Sequence, residues 1–206
     1  MRSPVVVVTG PIASGKTTVA RVIAARGGAV IDCDALAHRA LDLPAVRRRL
    51  VAAFGSGVLA PSGRISRRRL ARAVFADEAA LAALNRIVRP AVRRAIAGEV
   101  SRRRRRSAYI VLDAVLYFQY TFPFKVDFVI ATSAPRSSRI ARMMERDSMT
   151  RAEARRRIER QKAFERDWAR ADETIATGRP LAAVRRDAGR IRDGFLGGYG
   201  ISRRKR

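Results

Sequence analysis

The chain has 206 residues, 48% of them hydrophobic, which suits one globular domain with a buried core. It contains one cysteine, Cys33, which excludes an internal disulfide, and no apolar run approaches the roughly 20 residues of a membrane span. The formal net charge of +26 predicts at most non-specific nucleic-acid binding, because the arginine runs are scattered and few aromatic residues lie among them. We therefore expect a cytoplasmic, monomeric protein without membrane contacts.

The first predicted elements are a buried strand, a glycine-rich loop and an amphipathic helix. The apolar run from Val5 to Val8 predicts a parallel strand, and the segment that begins at Thr17 has the apolar spacing of a helix. Between them lies G-x-x-x-x-G-K-T, the phosphate-loop motif, whose backbone N–H groups surround the phosphates of a nucleoside triphosphate. The predicted nucleotide-binding residues of this segment are Gly10, Pro11, Ile12, Ala13, Ser14, Gly15, Lys16, Thr17 and Thr18.

Two side chains of the loop are suited to phosphoryl transfer. Lys16 is expected to reach the β- and γ-phosphates of ATP, and Thr17 to place its hydroxyl on Mg²⁺. Mg²⁺ prefers octahedral oxygen ligands, so waters, phosphate oxygens and a nearby carboxylate would complete its shell. The loop predicts ATP and Mg²⁺ as cofactors and leaves the phosphoryl acceptor open.

A second short strand, 29–32, ends in acidic residues. Because ligands bind outside the carboxyl ends of parallel strands, Asp32 and Asp34 are expected to face the phosphate loop. Asp34 is the candidate general base for a substrate hydroxyl, and Asp32 is a candidate ligand of Mg²⁺ through water. For both residues an alternative remains open, because aspartate also caps helices well and a helix begins near Cys33.

Residues 35–105 are predicted to form a helical insertion between strands. Helices are expected at 43–54, 66–75 and 78–100, with interruptions at Pro44, 55–57, 61–63 and Pro90. His38 follows Asp34 by one helical turn and is placed to face a substrate. A lone histidine is as often a packed or surface residue, and nothing in the sequence makes it a metal ligand.

Three further strands are expected after the insertion, at 109–113, 128–131 and 173–175. The first of them ends in Asp113, a further candidate for holding Mg²⁺ through water. Because strands and helices alternate, the five strands are expected to form one parallel sheet. A charged helix is predicted from Met149 to Arg166, a closing helix at 182–196 and a basic flexible tail at 197–206.

Arg142 and Arg146 lie four residues apart on the helix expected after the fourth strand. Both therefore share one helix face and are placed to clamp phosphates bidentately, and Arg139 is placed to join them. The alternative is a solvated arginine face on an arginine-rich protein.

In chain order, these motifs resemble those of the dephospho-coenzyme A kinase family. The resemblance extends along nearly the whole chain and is carried by separate blocks in the same order. The blocks are V-I-D-C-D-A-L-A-H at 30–38, G-R-I-S-R-R-R-L at 63–70 followed by Val74 and Phe75, L-N-R-I-V-R-P at 84–90, R-x-x-x-R-D at 142–147, R-I-x-x-Q at 157–161 and A-D at 171–172.

The resemblance implies an α/β fold of the three-layer P-loop kinase type. Its parts would be a central parallel five-stranded sheet, a helical substrate-binding insertion at 35–105 and a helical lid at 146–170, within one domain over 1–206. The implied activity is ATP- and Mg²⁺-dependent phosphorylation of the ribose 3′-hydroxyl of dephospho-coenzyme A, the last step of coenzyme A synthesis. The family's general base falls on Asp34, its lid arginine on Arg146, and the expected substrate-binding residues are Asp34, His38, Arg69 and Asp113.

Three local departures from the family pattern leave the acceptor open. Arg89 replaces the histidine of "H-P", Ala176 replaces the asparagine of "N-x-G", and 113–119 reads D-A-V-L-Y-F-Q where the family has "D-x-P-L-L-F-E". One alternative function is therefore a kinase for another nucleotide or hydroxyl acceptor. The other, suggested by the charge, is a basic P-loop protein that binds nucleic acid.

Overall fold

The computed structural model describes residues 2–74 and 77–199, which divide into two compact units. The sheet unit contains residues 2–32, 100–119 and 124–199, and the helical unit contains residues 33–74, 77–99 and 120–123. The end of the helix predicted at 66–75 and most of the predicted tail at 197–206 lie outside the described residues. In the described ranges no helix has the length and apolar character needed to cross a membrane.

The bounds of the regular elements follow the predicted order. The strands are β1 (Val5–Thr9), β2 (Gly28–Asp32), β3 (Tyr109–Asp113), β4 (Phe128–Ser133) and β5 (Glu173–Ala176). The helices are α1 (Lys16–Ala24), α2 (Cys33–Leu41), α3 (Pro44–Phe54), α4 (Arg67–Val74), α5 (Glu78–Arg104), α6 (Arg136–Asp147), α7 (Arg151–Glu159), α8 (Glu165–Trp168) and α9 (Leu181–Gly198).

The five strands form one sheet in the order β2-β3-β1-β4-β5, and every neighbouring pair is parallel. This confirms the predicted fold class. β1 is central and all five of its residues are buried, which accounts for its unbroken run of valines, because a parallel strand is covered on both faces. The parallel arrangement brings the carboxyl ends of the strands to one edge, where β1 leads into the loop before α1.

Helices α1 and α9 pack against the core of the sheet. Val19 and Ile23 of α1 and Val184 and Ala188 of α9 belong to the same buried cluster as Val6 and Val8 of β1. Tyr109 closes this core, since its hydroxyl donates to the carbonyl oxygen of Ile23 at 2.7 Å and burial raises its pKa to about 12. The phenol therefore remains a hydrogen-bond donor at neutral pH, and the end of α1 is fixed against β3.

The helix predicted at 78–100 is confirmed, but the interruption predicted at Pro90 is wrong. Helix α5 continues through Pro90 from Glu78 to Arg104. A proline inside a helix removes one N–H donor, but buried residues on either side, Ile87 and Ala91, keep the helix packed through this point.

The segment predicted as one helix from Met149 to Arg166 is divided in the structure. A capping box starts α7, in which the Thr150 side chain accepts from the backbone of Glu153 and the Glu153 side chain accepts from that of Thr150. Helix α7 ends at Glu159, and a single 3₁₀ turn, Lys162–Phe164, leads into the short α8. Ala154 and Ile158 of α7 pack against the buried side of α6, so the charged sequence still forms an amphipathic helix.

Candidate active site

The phosphate loop, residues 10–17, connects β1 to α1. Gly10 has φ 134°, and a Cβ there would lie 2.5 Å from the carbonyl oxygen of Thr132, so only glycine fits. Gly15 has φ 83° and leads directly into α1. The N-terminal N–H groups of α1 therefore start at the loop, where the helix dipole favours an anion.

Lys16 and Thr17 are each held by a hydrogen bond. Lys16 is buried, and its Nζ donates to the carbonyl oxygen of Pro11 at 2.9 Å, across the loop. Thr17 Oγ1 donates to Oδ2 of Asp113 at 2.7 Å. The hydrogen bond between Thr17 and Asp113 thus joins the loop to the end of β3. Both residues are predicted from the sequence to contact Mg²⁺, Asp113 through water.

The carboxylates of β2 and β3 lie at the same edge of the sheet. Asp32 is the register partner of Asp113. Burial raises the pKa of the Asp113 carboxyl and the charge of Asp32 adds to the rise, whereas the Thr17 hydroxyl and the Lys16 ammonium lower it. Within residues 2–74 and 77–199 no cluster of three or more acidic, histidine or cysteine side chains forms a metal site by itself. The local donor set is instead one hydroxyl and two carboxylates, which are hard oxygen ligands of the kind Mg²⁺ prefers.

Two arginines of α6 bind the backbone of the phosphate loop. Arg139 is buried, and its Nε donates to the carbonyl oxygen of Ile12 at 2.9 Å, while Arg142 Nη1 donates to that of Ala13 at 3.1 Å. Burial lowers the pKa of the Arg139 guanidinium, although an arginine stays charged at neutral pH. These arginines hold the loop in place and bring positive charge close to it.

Arg146 lies one turn further along α6. Its Nε and Nη2 donate to the two carboxylate oxygens of Asp147, both at 2.8 Å, and this contact raises the pKa of Arg146. The arginine side chain is 66% exposed. An ion pair so open to water contributes about 0–1 kcal/mol, so its guanidinium can change partners at small cost.

A cavity of about 390 Å³ joins these groups within the sheet unit. Its lining includes Lys16 and Thr17 from the loop, Arg142 and Arg146 from α6, and Leu181 from α9. The structure therefore brings five of the nine predicted nucleotide-binding residues of the loop together with both arginines that were predicted to clamp phosphates; the five are Ala13, Gly15, Lys16, Thr17 and Thr18. The cavity can accept a polyphosphate at the loop and an apolar group near α9.

Thr177 is a residue of this site that the sequence analysis missed. It is buried, its Oγ1 donates to the carbonyl oxygen of Ser14 at 2.6 Å, and it accepts from Arg142 Nη1 at 3.3 Å. Its backbone N–H donates to the carbonyl oxygen of Ser133 at 2.7 Å. One side chain thus joins the phosphate loop, the end of β4 and Arg142. It occupies the variable position of "N-x-G", so the motif gave no signal for it.

Gln161 also contacts the phosphate loop, at the residue that Arg139 binds. Its Oε1 accepts from the backbone N–H of Ile12 at 2.7 Å. The sequence assigned this glutamine only to the R-I-x-x-Q block, whereas the structure gives it a direct partner in the phosphate loop.

The altered block at 113–119 ends in a contact with α8. Gln119 Nε2 donates to Oδ2 of Asp167 at 2.5 Å, and the guanidinium of Arg170 lies 5.0 Å from the ring centroid of Phe118. A glutamate at 119, as in the family pattern, would bring a second carboxylate against Asp167. The exchange of glutamate for glutamine therefore has a local structural reason.

Asp34 lies in the helical unit. It is an exposed residue in the first turn of α2, and Asp32 immediately precedes that helix. Burial raises the pKa of Tyr120, the charge of Arg89 lowers it, and the charge of Asp34 raises it. Asp34 and Arg89, the residue that replaces the histidine of the family pattern, therefore both act on the Tyr120 side chain. The Arg89 guanidinium lies 5.6 Å from the centroid of that ring, and among the described residues its buried Nε has no hydrogen-bond partner.

The other predicted substrate-binding residues of the helical unit have different partners. His38 contacts Arg67, whose Nη1 lies 3.0 Å from the histidine Nε2. Arg69 instead donates to the carbonyl oxygen of Leu59 at 2.5 Å. The structure therefore brings Arg67, and not Arg69, to His38.

Comparison with known proteins gives one consistent result. The family model described as dephospho-CoA kinase matches residues 4–180. The dephospho-CoA kinase of Moorella thermoacetica is 39% identical over 181 residues, which cover 86% of this chain and 85% of that protein. The crystal structure of TT1252 from Thermus thermophilus has a TM-score of 0.79 at 31% identity, covering 94% of this chain and 98% of that one. The dephospho-CoA kinase of Campylobacter jejuni shares the fold, with a TM-score of 0.59 at 22% identity over 93% of this chain and 97% of its own.

The raised pKa of Asp113 predicts the effect of Asp113→Asn on stability. The folded wild type holds the proton of the Asp113 carboxyl more tightly than the unfolded chain does. The free energy of unfolding of the wild type therefore falls as the pH rises from about 4 through the raised pKa. We expect the metal-free variant to melt at a higher temperature than the wild type at pH 7.5, with the difference shrinking toward pH 4.

Thermal melts over this pH range measure the effect of Asp113→Asn. Asp187→Asn is the control, because Arg179 lowers the pKa of Asp187 and its removal should give no gain. A lower melting temperature for Asp113→Asn than for the wild type at pH 7.5 would show that the ionised carboxylate stabilises the fold.

Thr177→Val keeps the volume of the side chain and removes its hydroxyl. We expect the affinity for ATP to fall by about tenfold, because the Ser14 carbonyl oxygen loses its donor and Arg142 loses one of its acceptors. Calorimetric titration with a non-hydrolysable ATP analogue measures this, and Thr174→Val, an exposed position of β5, is the matched control. Equal affinities for the analogue in folded Thr177→Val and wild type would exclude this role.

Proposed function

Since the chain belongs to the dephospho-CoA kinase family, we propose that it transfers the γ-phosphate of ATP to the ribose 3′-hydroxyl of dephospho-CoA, giving CoA and ADP. The observation that carries this function is the match over residues 4–180, which includes both the phosphate loop and Asp34. The reaction is the last step of coenzyme A biosynthesis.

We place the triphosphate of ATP on the phosphate loop and the adenosine toward α9. The loop geometry supports this placement, because Gly10 and Gly15 wind the chain around the N-terminus of α1 and Lys16 lies across it. A point charge at Lys16 and the fork of Arg146 would neutralise charge on the oxygens of the transferred group. Arg142 would add positive charge nearby, since its own fork is bound to Ala13 and Thr177. Arg146 would exchange its exposed partner Asp147 for phosphate.

We assign Mg²⁺ to Thr17 and Asp32, with Asp113 beside them. The oxygen donors fit the ion, and the raised pKa of Asp113 marks a place where a nearby cation would be favourable. When bound, Mg²⁺ would neutralise charge that develops on the transferred group. Asp113 orients the Thr17 hydroxyl through the hydrogen bond between them.

We propose that Asp34 is the general base. A carboxylate at this position accepts the proton of the 3′-hydroxyl as the oxygen attacks the γ-phosphorus, and ADP leaves with the electron pair of the broken P–O bond. Its place in the first turn of α2 suits an anion, because the helix dipole stabilises the charged form there.

We further propose that residues 146–170 close over bound ATP and exclude water, which would otherwise accept the phosphoryl group. The hydrogen bond from Ile12 to Gln161 supports this role, since it couples the segment after α7 to the phosphate loop.

A kinase for a different acceptor is less well supported. The departure at Gln119 motivated that alternative, yet Gln119 binds Asp167 of α8 and thereby has a structural role in the sheet unit. The altered residue alone does not require another acceptor.

The acceptor assay tests the function directly. Purified protein with ATP and Mg²⁺ is expected to release ADP at a rate that rises with dephospho-CoA and saturates, and the product should carry the new phosphate on the 3′-oxygen. Lys16→Ala is the inactive control. ADP release that does not respond to dephospho-CoA, but responds to another hydroxyl compound, would identify a different acceptor.

Asp34→Asn tests the general base. We expect kcat to fall by about 10²- to 10⁴-fold, with the affinity for ATP nearly unchanged, because the amide keeps the shape but cannot take the proton. Single-turnover kinetics with dephospho-CoA and separate ATP titrations measure the two quantities. A near-normal kcat would limit Asp34 to stabilising the first turn of α2 or to holding the metal through water.

A further inference from the structure

The helical unit contains a second cavity, of about 270 Å³, between α2 and the start of α4. We call it the cationic pocket and define it by the residues that line it: His38, Arg39, Leu41, Asp42, Arg64, Ile65 and Arg67.

The pocket has an excess of positive charge. Arg39, Arg64 and Arg67 oppose the single carboxylate of Asp42, so three positive charges and one negative charge leave two in excess. Arg64 binds Asp42 through Nε and Nη2, at 3.0 and 2.5 Å from the same oxygen, and its hydrogen bond lowers the pKa of that carboxyl. Asp42 is therefore ionised and already matched by one arginine, which leaves Arg39 and Arg67 for a ligand.

A histidine orients Arg67. Its Nη1 lies 3.0 Å from Nε2 of His38. The same Nη1 lies 3.3 Å from the other ring nitrogen, Nδ1, and since a guanidinium has only donors, the ring nitrogen that takes its hydrogen bond is the acceptor. The contact with His38 thus holds the Arg67 guanidinium against α2. The two residues come from separate sequence blocks, at 30–38 and 63–70, and their contact brings these blocks together at the pocket.

The pocket lies one helical turn from the proposed general base. Asp34 and His38 are four residues apart on α2 and share a face, with about 5.4 Å between successive turns. In dephospho-CoA the 5′-diphosphate begins a few bonds from the 3′-hydroxyl. The distance between these two groups is therefore comparable to the distance between the pocket and Asp34. This diphosphate is also the only part of dephospho-CoA that is ionised at neutral pH.

We propose that the cationic pocket binds the 5′-diphosphate of the acceptor while the 3′-hydroxyl lies at Asp34, with Arg67 as the principal contact. Arg67 supplies a planar fork that matches phosphate oxygens, and Arg39 adds a second charge from α2. The pocket thereby selects acceptors that carry a diphosphate on the 5′-oxygen. This inference rests on the proposed function and names the group through which that site recognises its substrate.

Arg67→Gln tests the proposal. Because the diphosphate contacts are the same in the ground state and in the transition state, we expect KM for dephospho-CoA to rise by about 10- to 100-fold, with kcat and KM for ATP nearly unchanged. Steady-state kinetics with each substrate varied in turn, and equilibrium dialysis of dephospho-CoA, measure the effect. Arg67→Lys should recover only part of the affinity, because lysine keeps the charge and loses the fork.

Arg68→Gln is the matched control, since Arg68 is the exposed next residue of α4, carries the same charge and does not line the pocket. Equal rises in KM for Arg67→Gln and Arg68→Gln would mean a general loss of charge and would overturn the proposal, as would an unchanged KM for dephospho-CoA or a rise in KM for ATP. These results differ from failure of the proposed function, in which the wild type itself would show no turnover with dephospho-CoA.

Discussion

The architecture of the site depends on the close approach of the phosphate loop to the end of β4. Gly10 lies so near the backbone of Thr132 that no Cβ fits between them, and Ser14 shares a hydrogen bond of 2.6 Å with the Thr132 hydroxyl. Thr177 adds a second link between the loop and β4. The loop N–H groups are thereby fixed before a ligand arrives, so the cost of ordering them is met by folding of the sheet unit and not by binding.

The same constraint explains which parts of the site were predictable from the sequence. Lys16 and Thr17 belong to a motif whose spacing is set by the chain itself, and the order of the strands follows from alternating patterns. Thr177 could not be found in this way, because its role depends on how β5 ends beside β4, a long-range contact with no sequence spacing of its own. Gln161 had a family motif to mark it, but only the fold shows that its partner is Ile12.

The errors in the helical regions have a similar origin. Pro90 is a strong local signal for a helix end, yet α5 continues through it, since packing on both sides outweighs one lost hydrogen bond. In the segment after α6 the reverse occurs, because a continuous charged pattern suggested one helix and the chain turns at 162–164. Local propensity therefore decides neither the course of α5 nor that of the segment after α6. In β1, by contrast, the apolar sequence pattern agrees with the burial of all five residues, and the predicted strand is correct within one residue at each end.

The two sites proposed for phosphate groups use different physical means, and this difference suits their two substrates. The phosphate loop presents backbone N–H groups and a buried lysine, a rigid arrangement that any nucleoside triphosphate satisfies. The cationic pocket presents exposed arginine side chains, one oriented by a histidine. Exposed charges are screened by salt, so this pocket contributes moderate affinity, and its selectivity comes from the distance between the diphosphate and the reacting hydroxyl. A substrate must then satisfy both Asp34 and Arg67 at once, which is a stricter requirement than either charge imposes alone.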